Sequence, residues 1–298
     1  MLRFTAKYSA LFIFLFFVVN GLTAQPIVKQ GVEPQKITDG YQFTEGPLWH
    51  PSGYLLFSDI PANTVFKWMP GGEVTEYIKP SRHSNGLAFD LEGRLLLAQH
   101  DGAVARQNDD GGLSTLVGSY EGQRLNSPND LTVKSDGAIY FTDPDFGVSD
   151  ENKELQVNGV YRYTEDEGLE LLVSDFDLPN GIAFSPDEEK LYVNDSRHNH
   201  IRVFNVKKDG SLDNGKIFAT MKADADGSAD GMVVDSAGNL YSTGPGGLWI
   251  FSPEGKMLQQ VETSRLTNLA WGGPDRSALF MTAPNAVYKL QTTQKGYK

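Results

Sequence analysis

Short apolar runs alternate with polar turns along most of the chain, and the pattern repeats. The segment NGIAFSPDEEKLYVND, starting at Asn180, pairs a small apolar run with a turn of Ser, Pro, Asp and Glu, then a second apolar run. Five relatives of that phrase occur: EGPLWHPSGYLLFSD from Glu45, NGLAFDLEGRLLLAQ from Asn85, NDLTVKSDGAIYFTD from Asn129, DGMVVDSAGNLYSTG from Asp230 and NLAWGGPDRSALFMT from Asn268. Their starts are 40, 44, 51, 50 and 38 residues apart. Each phrase predicts two short antiparallel strands, and most are followed by two more, such as IRVFNVK and KIFATMK in the fourth copy. Four strands per unit of this length predict an all-β fold, a six-bladed β-propeller with four antiparallel strands per blade. No run with the i, i+3, i+4 helical period interrupts the series.

The last unit is one strand short, because only TQKGYK follows AVYKLQT. The segment ahead of Glu45 holds a spare strand. An N-terminal strand is therefore expected to complete the sixth blade and close the ring, which removes the sheet edges.

The first 24 residues do not fit the repeat. Arg3 and Lys7, the apolar run 10–19 and Thr23-Ala24 form the layout of a secretory signal peptide. The expected organisation is a leader over 1–24 and one propeller over 25–298, exported to the periplasm or secreted, with no membrane association after cleavage. Loss of the leader removes two of the 26 basic side chains and none of the 38 acidic ones, so the formal net charge moves from −12 to −14. That balance disfavours nucleic acid and anionic membranes and tolerates cations. The absence of cysteine excludes disulfides, zinc-thiolate sites and thiol nucleophiles.

The repeat register gives direction to its polar residues. The first strand of each unit is the smallest and most apolar, as suits the innermost strand of a blade. The residue before it then stands at one mouth of the central channel. Those residues are Glu45, Asn85, Asn129, Asn180, Asp230 and Asn268, all with a side-chain oxygen. Two converging carboxylates among amides suit a hard divalent cation, with flexible oxygen coordination favouring Ca²⁺ over Mg²⁺. A hydrated polar plug is the structural alternative. The second strand returns to the same face, which places Asp59, His100, Asp143, Asp195 and Thr243 near the mouth; His100 is the potential proton carrier. A polar insertion, 144–159, falls within the third unit and could cap the site. Other chemistries find no support: G-x-S-x-G is absent, the DADG stretch lacks the ligands of an EF-hand, and RHNH puts its histidines on divergent faces.

The phrases TEGPLW, NGLAFD, RLNSPNDLTVKSDGAIYFTDPDFG, LPNGIAFSPDEEKLYVND, ADGMVVDSAGNLY, GGLWIFSPEGK and TNLAWGG resemble the senescence marker protein/gluconolactonase/luciferin-regenerating-enzyme family, and SPND…FTDP.FG its bacterial gluconolactonase branch. The resemblance implies one divalent cation, usually calcium, at the channel mouth. It maps the metal-site motifs onto Glu45, Asn129, Asn180 and Asp230, four of the six positions found by register. Ala229 stands where that family more often has proline, so the loop before Asp230 is expected to differ in shape. The expected activity is hydrolysis of a sugar lactone, with Asp230 also serving the attacking water as catalytic residue and Asn85, His100, Asn126, Asp143 and Asp195 contacting the substrate. Phosphotriester hydrolysis, as in diisopropylfluorophosphatase-like enzymes, and a non-catalytic binding propeller are the competing readings.

Overall fold

The computed structural model describes Met1 and residues 26–297; the leader expected over 1–24 lies outside the described residues. Six four-stranded antiparallel sheets form in chain order, and among the described residues there is no helix. The innermost strands are Thr44–His50, Ser84–Phe89, Leu131–Val133, Pro179–Phe184, Met232–Val234 and Leu269–Gly272. Each packs beside the innermost strand of the next sheet, and the last packs beside the first, so the sheets close into a ring. We number the blades I to VI from Thr44.

Closure uses the strand expected for it. Gln35–Asp39 pairs antiparallel with Ala286–Gln291, from Gln35 opposite Lys289 to Asp39 opposite Ala286, and becomes the outer strand of blade VI. Blade VI therefore holds the N- and C-terminal ends of the propeller in one hydrogen-bonded sheet. A hairpin not foreseen from the repeat, Ser119–Tyr120 with Gln123–Arg124, lies between blades II and III.

The core consists of the layers between blades. Side chains alternate across each strand, so neighbouring residues serve opposite layers. Leu55 and Phe57 pack against Phe280 and Val287 of blade VI, whereas Leu56 packs against Leu95 and Leu97 of blade II. Equivalent clusters fill the other four gaps. Strands buried on both faces read as continuous apolar runs, which is why LLLAQ and AIYF carry so little polar alternation. The turns between first and second strands depend on glycine, with Gly93 at φ 78° and Gly137 at φ 90°.

Each junction at the rim of the channel is pinned by a hydrogen bond to the neighbouring blade. Ser58 Oγ donates to the Asn85 carbonyl at 2.8 Å, Thr142 Oγ1 to that of Asn180 at 2.7 Å, and Asn194 Nδ2 to that of Asp230. Gly86 N donates to the Asn129 carbonyl at 2.8 Å, Thr243 Oγ1 to that of Thr267 at 3.0 Å, and Thr267 Oγ1 to that of Thr44 at 2.7 Å. These bonds satisfy the rim carbonyls and fix the backbone of the residues at the channel mouth.

Candidate functional site

The inner strands aim their first residues at the axis in two ways. In blades I, II and IV the ladder is irregular where the axial residue sits, between Glu45 and Leu48, Ser84 and Leu87, and Pro179 and Ile182. A bulge of that kind re-aims a side chain out of the sheet. In blades III, V and VI the ladder starts only after Asn129, Asp230 and Asn268.

The glycine that follows most axial residues has a packing role. A Cβ on Gly181 would lie 2.2 Å from the Asp230 carbonyl oxygen, and one on Gly86 would lie 2.7 Å from that of Asn129. Neither glycine has positive φ. The Asn-Gly pairs are therefore not turns. They mark where one blade's backbone passes too close to the next for any side chain.

Glu45, Asn85, Asn129, Asn180 and Asp230 line one cavity of about 270 Å³ at a mouth of the channel, with His100 beside them. Five of the six register positions thus share it. Asn268, the sixth, lines a separate and larger chamber of about 530 Å³ along the rest of the channel. Apolar inner-strand side chains such as Leu87, Ile182 and Met232 dominate that chamber, so the smaller cavity is where polar chemistry concentrates.

Burial sets the electrostatics. Glu45 and Asp230 are both raised well above the ordinary carboxylate range, chiefly because water is excluded, and each is near other acidic groups. Gly46 N donates to Glu45 Oε2 at 3.0 Å, and the Asn268 amide also hydrogen-bonds Glu45; both oppose the rise. Asp130, next to Asn129, is buried at the same level and raised to about 7, again by desolvation. Burial, with His83 nearby, lowers His100 to about 4, so its ring is neutral at pH 7.

Two amide oxygens here have no partner. Asn180 Nδ2 donates to Ser196 Oγ at 3.1 Å and Asn85 Nδ2 to His100 Nε2 at 3.2 Å, which leaves both Oδ1 atoms buried and unsatisfied. A buried acceptor without a donor is costly unless something positive meets it. Among the described residues no three His, Cys, Asp or Glu side chains converge. The donor set is two carboxylates with amide oxygens, as a hard cation prefers.

The residues expected around this ring have separate tasks. Asp195 is buried away from the cavity and accepts from four backbone amides, those of Asp177, Leu178, Arg197 and His198. Asp59 braces the Gln42 and Phe43 amides in the same way. Asp143 Oδ2 accepts from Asn126 N at 2.9 Å, and Asn126 Nδ2 donates to the Val157 carbonyl at 2.9 Å. Neither Asn126 nor Asp143 lines the cavity, although each keeps one buried oxygen unpartnered. Thr243 belongs to the rim, bonded to the Thr267 carbonyl. His100 reaches the cavity because it lies one place beyond the strand end, where Gln99 pairs with Ser84. Gln99 holds the Ser81 carbonyl as the aspartates hold their amides.

Three further lining residues were not singled out by the register of the axial positions. Phe146 comes from the insertion 144–159 and is 48% exposed at the cavity mouth, and a Cβ on the adjacent Gly147 would lie 2.8 Å from the His100 side chain. Ser228 precedes Asp230 in its loop. Arg265 lies over the Phe43 ring, 5.5 Å from its centroid. Its charge moderates the rise of Glu45 and Asp230.

The fold and the site together define a six-bladed propeller with carboxylates and free amide oxygens at one mouth of its channel. The chain belongs to the SMP-30/Gluconolactonase/LRE-like family, whose model matches residues 43–285. It is 35% identical over 295 residues to the gluconolactonase of Zymomonas mobilis, covering 87% of this chain and 81% of that protein. The structure of a gluconolactonase from Xanthomonas campestris superposes with a TM-score of 0.82 at 34% identity, covering 89% of this chain and 91% of the other. Regucalcin from Agrobacterium tumefaciens, described as a calcium-binding protein, shares the fold at a TM-score of 0.75 and 20% identity, with 89% and 95% covered.

Proposed function

We propose that the chain is a sugar lactonase of the gluconolactonase kind, working at the cavity that joins Glu45 to Asp230 with one divalent cation, calcium. The observation that carries this reading is the unpaired Asn180 Oδ1, buried beside two carboxylates that burial disfavours as anions. Glu45, Asn129, Asn180 and Asp230 would hold the cation. When bound, such an ion supplies Lewis acidity to the lactone carbonyl and favours the charge that develops on its oxygen.

The protein's own groups do the rest. Asp230 would orient the attacking water and accept its proton as the new C–O bond forms. The same proton goes to the ring oxygen as the lactone C–O bond breaks, and a hydroxy acid results. Asn85 and neutral His100 present amide and imidazole atoms to substrate hydroxyls on one side. Phe43, Ile60 and Phe146 form apolar walls that limit bulk water. The apolar run 10–19 behind Arg3 and Lys7 supports export, to the periplasm or beyond.

Hydrolysis of D-glucono-1,5-lactone followed by acid release, with and without chelator, tests the proposal. Activity should be lost with EDTA, restored by calcium and abolished in Asp230→Ala. Activity indifferent to chelation or to that substitution overturns the mechanism. A calcium-loaded protein that opens no lactone is a binding propeller instead.

A further inference from the structure

Resting on the lactonase reading, we propose that Arg265 is an anion subsite, and that the cavity selects sugar lactones bearing a second acidic group, a carboxylate or phosphate, over neutral ones.

The argument begins with charge. Among the described residues lining the cavity, Arg265 is the one permanently cationic side chain, because His100 is neutral. Arg265 makes none of the ion pairs found among the described residues. Its contact is with the face of Phe43, which engages none of its N–H groups. What sets Arg265 apart from the other arginines without an ion pair is its place, in the lining of the cavity that holds Glu45 and Asp230, whose charges it senses.

Glu45 and Asp230 together balance one divalent cation. With Asp130 held toward its neutral form by burial, the guanidinium of Arg265 would then be left to meet a further anion at the cavity. A second anion on the substrate answers that surplus. Geometry agrees with the count. Arg265 stands in the loop before the inner strand of blade VI and so flanks the carboxylates at the rim, beside Phe43. A lactone whose carbonyl faces Glu45 and Asp230 has the far end of its carbon chain free to reach that rim. The planar fork of a guanidinium fits carboxylate or phosphate oxygens in pairs, as a neutral hydroxymethyl group cannot exploit. Arg265 is on this view a specificity-determining residue.

Calorimetric titration of the full-length, calcium-loaded protein with D-gluconate, D-glucarate and 6-phospho-D-gluconate tests the subsite without turnover. The native protein should bind at least one of the two doubly acidic ligands about tenfold or more tightly than D-gluconate. Which of the two gains identifies the preferred group. In Arg265→Gln the preference should fall to within about threefold, and Arg265→Lys should keep part of it, with thermal unfolding confirming that both variants fold. Equal affinity for the three ligands in the native protein, or a preference that survives in Arg265→Gln, overturns the proposal. Acid release from D-glucono-1,5-lactone is measured on the same preparation. A clear anion preference without hydrolysis leaves the subsite standing and removes the lactonase reading, whereas hydrolysis without preference does the reverse.

Discussion

Asn180 and Ser196 share a hydrogen bond of 3.1 Å whose direction follows from a third residue. Ser196 Oγ gives its single hydrogen to the Ala229 carbonyl at 2.5 Å, so toward Asn180 it can only accept. Asn180 must therefore turn Nδ2 to Ser196 and Oδ1 to the cavity. The hydroxyl that orients this amide is also tied to the residue just before Asp230, so one side chain positions two of the proposed ligands.

Ser196→Ala removes that constraint and lets the amide turn over. Calcium affinity should weaken by about tenfold, the usual effect of losing a group that orients a ligand. Global stability should fall by only about 1 kcal/mol. Calorimetric titration with calcium and a urea unfolding curve measure the two separately. Unchanged affinity would show that the orientation of Asn180 is immaterial to the ion.

The raised carboxylates predict an unusual pH dependence for the calcium-free protein. An acid whose pKa is higher folded than unfolded binds more protons in the native state, so its contribution to stability is present at low pH and lost as pH rises. Asp130 spans the window from its ordinary 3.8 to about 7, and Glu45 and Asp230 are shifted in the same direction. The melting temperature in EDTA should therefore fall between about pH 4 and 7. Calcium should reverse the trend, because it replaces protons at the two proposed ligand carboxylates, and its stabilising effect should grow with pH. A melting temperature in EDTA that climbs across this window would contradict the idea that burial holds these groups toward their neutral forms.

Much of this arrangement could be read from the chain. Six similar phrases announced six blades, and the short sixth unit announced the closing strand, because a ring imposes one register on every repeat. The same register pointed to Glu45, Asn85, Asn129, Asn180 and Asp230. It also brought His100 to the cavity, although that residue is one place out of step with Asp59 and Asp195, whereas Asn268 lines the larger chamber. Phe146 comes from an insertion peculiar to blade III, whereas Arg265 occupies the place that Arg82 holds before blade II, in SRLTN against SRHSN, and the register of the axial residues did not single it out. Asp195 looked like a site residue because it ends a strand on the right face, yet a carboxylate at that point is wanted by four backbone amides.

Gly181 offers a steric test of how tightly the rim holds the site. An added Cβ would meet the Asp230 carbonyl oxygen at 2.2 Å and Met232 N at 3.0 Å, all backbone that cannot rotate away. Gly181→Ala should cost about 3 kcal/mol, the upper range for forced overpacking. It should also weaken calcium binding, because the strain falls on Asp230. Gly53→Ala is the control: its φ of 90° strains an alanine, but nothing lies within 4 Å, so stability should fall by about 1 kcal/mol while calcium affinity holds. Equal effects on calcium in the two variants would dissociate the rim from the site.

Asp195 and His100 separate the bracing role from the contact role. Asp195 accepts from Asp177 N at 2.9 Å, Leu178 N at 3.4 Å, Arg197 N at 2.8 Å and His198 N at 3.2 Å, so both oxygens are occupied by the backbone of two loops. Asp195→Asn keeps the shape but turns an NH₂ group toward amide hydrogens. Stability should drop by about 2 kcal/mol, or roughly 4–8 °C in melting temperature for a chain of this size. The KM for D-glucono-1,5-lactone should stay within about twofold, as Asp195 does not reach the cavity. His100→Ala should behave in the opposite way, since its ring lines the cavity and holds the Asn85 amide at 3.2 Å. Its loss frees Asn85 to rotate and removes a hydrogen-bonding wall, so KM should rise by about tenfold, the size of one lost polar contact. A rise in KM for Asp195→Asn at unchanged stability would return that carboxylate to the substrate side of the site.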